Sequence, residues 1–174
     1  MYHFLIEPGR VLFLNNAIDH GIMDPPGLTQ VEKVGYSPLF TIIGNPGIGL
    51  GILLAYWKFG KGNMKDVAPG AIIIQFLGGI HEIYFSYVLS NLLTLIACIV
   101  GQMTNIIVMG LLNYGIVYKL SPASIFSVIA MTPKGKYLSM LIVVLSATMV
   151  TFLVVSIFVK RYHRNYAEDD NVET

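Results

Sequence analysis

Two ionisable side chains stand next to each other in the stretch FLGGIHEIYF, residues 76–85, where most other residues are apolar. An ionised carboxylate only accepts hydrogen bonds, through about four lone-pair sites, and so suits a ligand with several hydroxyl groups. Facing lipid, it would cost about 2.5–3.5 kcal/mol. We therefore expect Glu82 to line a cavity that receives a hydroxylated or cationic substrate. The alternative is a Glu in the headgroup region, at the end of a short segment.

His81 precedes Glu82 directly, so the two side chains would point about 100° apart on a regular helix. They can share a cavity only if the backbone is irregular, which the flexible pair Gly78 and Gly79 permits. His81 is therefore expected at the same substrate site as Glu82. The alternative for His81 is a hydrogen-bonded packing role.

A second polar group lies near the N-terminus, in the stretch VLFLNNAIDHGI. Asn16 stands one helical turn before His20, and Asp19 is adjacent to His20. Amides, imidazoles and carboxylates together suit a sugar or polyol better than an ion. A metal site formed by His20, His81, Glu82 and Asp19 is conceivable, but no HExxH-type spacing supports it, so we expect no metal. No other cofactor is expected.

The composition indicates a membrane protein. Of the 174 residues, 55% are hydrophobic and 12% are charged, and the net charge is +1. Soluble domains carry about 25% charged residues. There is no basic face for nucleic acid, and a single cysteine, Cys98, excludes a disulfide within the chain. Cys98 is expected to be a small apolar packing residue.

Apolar runs predict where the chain crosses the bilayer. Residues 138–159 are uncharged and long enough for a 30 Å hydrocarbon core. The basic cluster that follows, from Lys160 to Arg164, predicts that this end is cytoplasmic. Residues 38–57 are also long enough to span, but GNPGIGLG interrupts them with Pro46 and several glycines. Such a break is tolerated in lipid only where protein or a watery cavity surrounds it.

Two further segments are less regular. Residues 83–118 are uncharged, and GQMTN at 101–105 is interpreted as a polar break or tight turn near their middle. The apolar piece SIFSVIAM, 124–131, is too short to span and is typical of a re-entrant or interfacial segment. The sequence thus predicts an all-α integral membrane protein, whose transmembrane helices include broken or re-entrant segments.

Four stretches also resemble a known family, in order and with its spacing: FLNNAIDHG (13–21), NPGIGLGILLAY (45–56), APGAIIIQFLGGIHEIYF (68–85) and AMTPKGKYL (130–138). They are similar to the C domain of the bacterial mannitol-specific enzyme II, the membrane permease of the phosphoenolpyruvate-dependent phosphotransferase system. The resemblance covers about residues 5 to 161, and its GGIHE motif is highly specific.

The resemblance implies uptake of mannitol or a related polyol and its release as mannitol 1-phosphate, as a multi-pass protein of the bacterial inner (plasma) membrane. The partners it implies are the lipid bilayer, a second copy in a homodimer, and a cytoplasmic B domain with a phosphocysteine. It places substrate-binding residues at Glu82, His81, His20, Asp19 and Asn16.

The chain departs from the family pattern at three positions, where Asp19 replaces Asn and where Ile48 and Ser86 each replace Pro. Residues 1–164 are expected to be the C-terminal half of the C domain, with a missing N-terminal half as a further partner, and 165–174 a polar tail. Cys98 is no substitute for the phosphorylated cysteine. Two alternatives are a truncated, non-transporting remnant and a transporter subunit that works without phosphorylation.

Overall fold

Helices make up almost all of the structure, a computed structural model that describes residues 17–120 and 122–169. A π-helix, Ala17–Met23, leads into α1, Asp24–Val34, which ends at Gly35. The remaining α-helices are α2 (Pro38–Gly44), α3 (Pro46–Phe59), α4 (Asn63–Phe76), α5 (Phe85–Ser90), α6 (Leu93–Leu112), α7 (Ile125–Met131) and α8 (Tyr137–Asp169). A 3₁₀ helix, His81–Tyr84, lies between α4 and α5. The predicted all-α class is confirmed.

Three parts of the described chain are long and apolar enough to cross a membrane. They are Pro38–Phe59, which comprises α2 and α3, then Leu93–Leu112 in α6, and Tyr137–Arg161 in α8. The span predicted at 138–159 lies wholly inside α8. This helix continues to Asp169, so it includes the first residues of the segment predicted as a polar tail.

The break predicted inside residues 38–57 is present, and it is confined to one residue. Ser37 caps α2 by accepting a hydrogen bond from the Leu39 amide, and Asn45 caps α3 in the same way by accepting from the Gly47 amide. Proline is favoured at the first position of a helix, where its missing N–H is not needed. Pro46 therefore starts a new helix, and the glycines after it do not interrupt α3.

Those glycines instead let α3 and α8 approach closely. A Cβ atom at Gly47 would lie 2.6 Å from the Val144 carbonyl oxygen, and one at Gly51 would lie 2.6 Å from the Thr148 carbonyl oxygen. Small residues spaced by four are typical of tight helix pairs in membranes. Residue numbers rise together along both helices, so α3 and α8 run parallel.

The prediction of a break or turn at residues 101–105 is wrong, because α6 is continuous from Leu93 to Leu112. Three of its polar side chains make hydrogen bonds without a turn. Thr104 donates to the Val100 carbonyl of its own helix, while Gln102 and Asn105 make hydrogen bonds to the neighbouring α2–α3 segment. A polar residue in a helix that spans lipid needs such a partner, and the packed helices supply it.

Two clusters of buried apolar side chains hold the helices together. One joins α3, α4, α5, α6 and α8 around Ile52, Leu53 and Tyr87. The other joins α2, α6, α7 and α8 around Phe40, Tyr114 and Val143. The GGIHE turn follows α4 and is therefore carried by a helix that packs in the first cluster.

Candidate functional site

The GGIHE segment forms a tight turn at the end of α4. Gly79 has φ +77°, a conformation that favours glycine, and its amide donates to the Gln75 carbonyl. A Cβ atom at Gly79 would lie 2.6 Å from the Ser124 backbone nitrogen. The turn therefore packs directly on the backbone that precedes α7, and any side chain at this position would separate the two.

His81 also joins the turn to that backbone. Its Nε2 lies 3.1 Å from the Ala123 carbonyl oxygen. A carbonyl can only accept, so Nε2 carries the proton, and in the neutral ring Nδ1 is left as an acceptor. His81 is half-buried and lies beside Tyr84 at a ring-centroid distance of 6.0 Å. It can therefore anchor the turn through one nitrogen and offer the other to a ligand.

Glu82 follows on the same 3₁₀ helix, and its side chain is exposed. Within the described residues, its carboxylate makes no hydrogen bond and no ion pair. Burial raises the pKa of the nearby Tyr84 to about 12. The irregular backbone expected for this pair is present, and it leaves the carboxylate available for ligand hydroxyls.

His20 lies in a separate group of charged side chains with Asp24 and Lys119. Asp24 Oδ2 is 2.8 Å from His20 Nδ1 and 3.1 Å from Lys119 Nζ. A carboxylate only accepts, so His20 Nδ1 donates to it. Lys119 Nζ, 3.4 Å from the same nitrogen, is then a close contact to His20 and not its hydrogen-bond donor. The hydrogen bond from Lys119, with that from His20, holds the pKa of Asp24 below its ordinary value.

The five residues predicted to bind substrate fall into different places. His81 and Glu82 share the 3₁₀ helix, and among the described residues no hydrogen bond joins either of them to His20. Asp19 lies next to His20 in the π-helix, but its side chain is outside the described part of the structure. Asn16 lies outside the described residues altogether. Their joint role in substrate binding stays a prediction.

A set of buried and half-buried amide side chains around the helix break was not predicted from the sequence. Pro46 has no N–H to give to the Ile42 carbonyl, and Gln102 donates to that carbonyl instead, at 2.9 Å. Asn105 accepts a hydrogen bond of 2.6 Å from the capping residue Asn45. Gln102 and Asn105 are three apart on α6, so helical spacing could have identified them as neighbours on one face.

Gln75 completes this set from α4. Its Nε2 donates to the Pro46 carbonyl at 3.0 Å, and its side chain is fully buried. Within the described residues, Gln75 Oε1 and Asn105 Nδ2 have no hydrogen-bond partner. A buried, unpaired polar atom costs about 1–3 kcal/mol. The helix break is therefore held by amide side chains from two neighbouring helices, α4 and α6.

Comparison with known proteins identifies relatives over most of the chain. It is 56% identical over 163 residues to the PTS system mannitol-specific EIICB component of Geobacillus stearothermophilus, covering 94% of this chain and 35% of the relative. It is 50% identical to the EIICB component of Bacillus subtilis (strain 168), covering 89% and 32%. It is 48% identical to the EIICBA component of Escherichia coli (strain K12), covering 97% and 26%.

The chain is homologous to part of the mannitol-specific PTS components. The resemblance inferred from the four motifs is thereby confirmed. The chain spans about a third or less of the length of these relatives. No family model matches it, and no solved structure matches it. The bacterial relatives and the three apolar helices support the predicted location in the bacterial inner membrane.

Proposed function

We propose that this chain supplies part of the membrane domain that translocates mannitol in a phosphotransferase-system permease. The observation that carries the proposal is the similarity to mannitol-specific components, at 48–56% identity over 94–97% of the chain in the Geobacillus and Escherichia relatives. The three membrane-spanning helices suit a transport role.

Glu82 is proposed as the principal substrate ligand. Mannitol is an uncharged molecule with many hydroxyl groups, and an acceptor-only carboxylate can receive several of them. The exposed Glu82 side chain, on a turn fixed by Gly79 and His81, gives such a carboxylate a defined position. His81 Nδ1 is the second proposed acceptor. His20, Asp19 and Asn16 are proposed as further substrate-binding residues.

Coupling of uptake to phosphorylation requires a phosphoryl donor. The relatives' names combine the C component with a B component, and we propose a B domain as the partner that phosphorylates mannitol. The basic cluster at Lys160 and Arg161 predicts that the end of α8 faces the cytoplasm, where this domain would act. A homodimer and the C-domain assignment of residues 1–164 are further parts of the proposal.

A chimaera tests the proposed function. This chain would replace the matching segment of the Geobacillus stearothermophilus component, and the unmodified component would serve as the control. We expect membranes with the chimaera to bind labelled mannitol and to phosphorylate it with phosphoenolpyruvate and the general phosphotransferase proteins. A chimaera that inserts normally but neither binds nor phosphorylates mannitol would contradict the proposal. Competition by other polyols would define the substrate class.

A further inference from the structure

An apolar groove of about 630 Å³ lies between α3 and α8. Such a volume is within the range of ordinary small-molecule sites, about 300–1,000 Å³. Its apolar lining comprises Leu54, Trp57, Leu145, Met149 and Phe152. The substrate residues lie outside this lining, so the groove needs an explanation separate from the proposed function.

Two polar residues, Thr148 and Lys58, complete the lining, and only Lys58 is charged. The Thr148 hydroxyl donates to the Val144 carbonyl at 2.8 Å, so its donor is already used within α8. Lys58 stands at the end of α3, and its side chain is exposed. A matching ligand is therefore apolar along most of its length and negatively charged at one end.

Helix α8 adds a second lysine, Lys160, to the charged end of the groove. Because α3 and α8 run parallel, their C-terminal ends lie together, and Lys160 Nζ is 4.0 Å from the centroid of the Phe59 ring. Phe59 in turn packs against the groove residue Phe152, with ring centroids 6.1 Å apart. Lys58 and Lys160 thus approach the same end of the groove, and Arg161 follows on α8.

The residues at the basic end of the groove are typical of the membrane–water interface. Trp57 is 49% exposed and lies directly before Lys58, and tryptophan and lysine are both typical of the headgroup region. Leu145 and Met149 are 59% and 62% exposed farther along α8, so within the described structure the groove is open along its length. By the positive-inside rule, its basic end faces the cytoplasmic leaflet, which holds anionic lipids.

We propose that the groove binds an anionic phospholipid of the cytoplasmic leaflet. One acyl chain lies along the apolar lining between α3 and α8, and the phosphate pairs with Lys58, with Lys160 nearby. An apolar protein helix would fill the same walls but would leave the Lys58 charge without a counter-ion. The inference depends on these contacts alone and does not require that the chain transports mannitol.

The experiment uses Trp57 as its reporter, because it is the only tryptophan in the chain. The full chain is reconstituted into vesicles of phosphatidylcholine that contain a fixed small fraction of either brominated phosphatidylglycerol or brominated phosphatidylcholine. Bromine quenches tryptophan only at close range. We expect the anionic lipid to associate about fivefold more strongly, the effect of a single lysine near an anionic surface.

Lysine variants test whether the preference for the anionic lipid comes from the groove. Lys58→Gln should weaken the preference, and Lys58→Gln combined with Lys160→Gln should make quenching by the two brominated lipids nearly equal, while Lys61→Gln, outside the groove lining, should leave it unchanged. Equal quenching in the unmodified chain would show ordinary lipid contact and overturn the proposal. A preference that survives the combined Lys58→Gln and Lys160→Gln variant would also overturn it. So would the absence of quenching by both lipids, since the groove would then be covered by protein.

Discussion

At the scale of single residues, Glu82 and His81 have different surroundings although they are adjacent. His81 is tied to Ala123 through Nε2, whereas the Glu82 carboxylate is exposed and unpaired within the described structure. The sequence indicated a candidate site here because ionisable groups are costly in lipid unless they face protein or water. It could not indicate the contact with Ala123, which lies 42 residues away along the chain.

Gly79→Ala should destabilise the turn that carries this pair. The left-handed conformation costs a residue with a side chain about 1–2 kcal/mol, and the added Cβ would also press on the Ser124 backbone. We expect a lower unfolding temperature and weaker mannitol binding in the chimaera described above. Gly70→Ala is the matched control, since its added Cβ meets nothing within 4 Å and the helix interior favours alanine. Equal thermal stability of the two variants would show that the turn tolerates a side chain.

At the scale of secondary structure, the break between α2 and α3 could be predicted from the sequence. The hydrogen bonds that stabilise it could not. Proline marks the break locally, at Pro46. The hydrogen bonds that make the break tolerable come from Gln75 and Gln102, which are 29 and 60 residues from their partners. The same long-range hydrogen bonds explain why a break or turn was wrongly predicted at residues 101–105, where α6 is continuous. Polar residues there resemble a turn until their partners on α2 and α3 are known.

Gln102→Leu should test that support directly. It leaves the Ile42 carbonyl without its donor, and losing a buried hydrogen-bond partner costs about 1–3 kcal/mol. We expect reduced thermal stability in detergent and faster hydrogen exchange around the break. Met103→Leu, at an exposed apolar position on the same helix, is the control and should change little. If both variants unfold at the temperature of the unmodified chain, Gln102 does not support the break.

The stabilisation from the contact between Asp24 and Lys119 should be lost at acidic pH. Its carboxyl pKa is held below the ordinary value of 3.8, first by the hydrogen bond from Lys119. A lowered pKa means that the stabilisation is complete above the ordinary value and is lost as the pH falls through the lowered one. The protection factors of the amides in residues 24–34, which correct for the intrinsic pH dependence of exchange, should therefore be constant near neutral pH and fall only in acid.

Asp24→Asn removes the carboxylate and should accelerate this exchange at neutral pH. Glu32→Gln, which changes the charge by the same amount on the same helix, is the control. Equal exchange in both variants at pH 7 would show that the ion pair does not hold α1 against the segment after α6.

At the scale of the whole molecule, the parallel packing of α3 and α8 fixes which loops share a side of the membrane. Lys61 lies at the end where Lys160 meets Phe59, and Lys134 lies just before the start of α8. The sequence predicted the cytoplasmic end of α8 from its basic cluster. It did not predict that α3 ends on the same side, because that depends on contacts between glycines and the distant α8 backbone.

Cysteine labelling would check this arrangement. In a Cys98→Ser background, Lys61→Cys should react with a membrane-impermeant reagent only from the cytoplasmic side, and Lys134→Cys only from the opposite side. Labelling of both from one side would contradict the parallel packing. Labelling from reversed sides would contradict the orientation.

The central claim, that Glu82 holds the hydroxyl groups of mannitol, is tested most directly by equilibrium binding of labelled mannitol. The chimaera with Glu82→Gln is compared with the chimaera carrying the unmodified chain, at equal amounts of inserted protein. Glutamine nearly matches the shape of glutamate, but its NH₂ group cannot accept. Hydrogen bonds to charged groups contribute about 1.5–3 kcal/mol, so we expect affinity to fall by about tenfold to hundredfold. Affinity within about threefold of the unmodified chimaera, a difference of less than 1.4 kcal/mol, would show that Glu82 is not a substrate ligand.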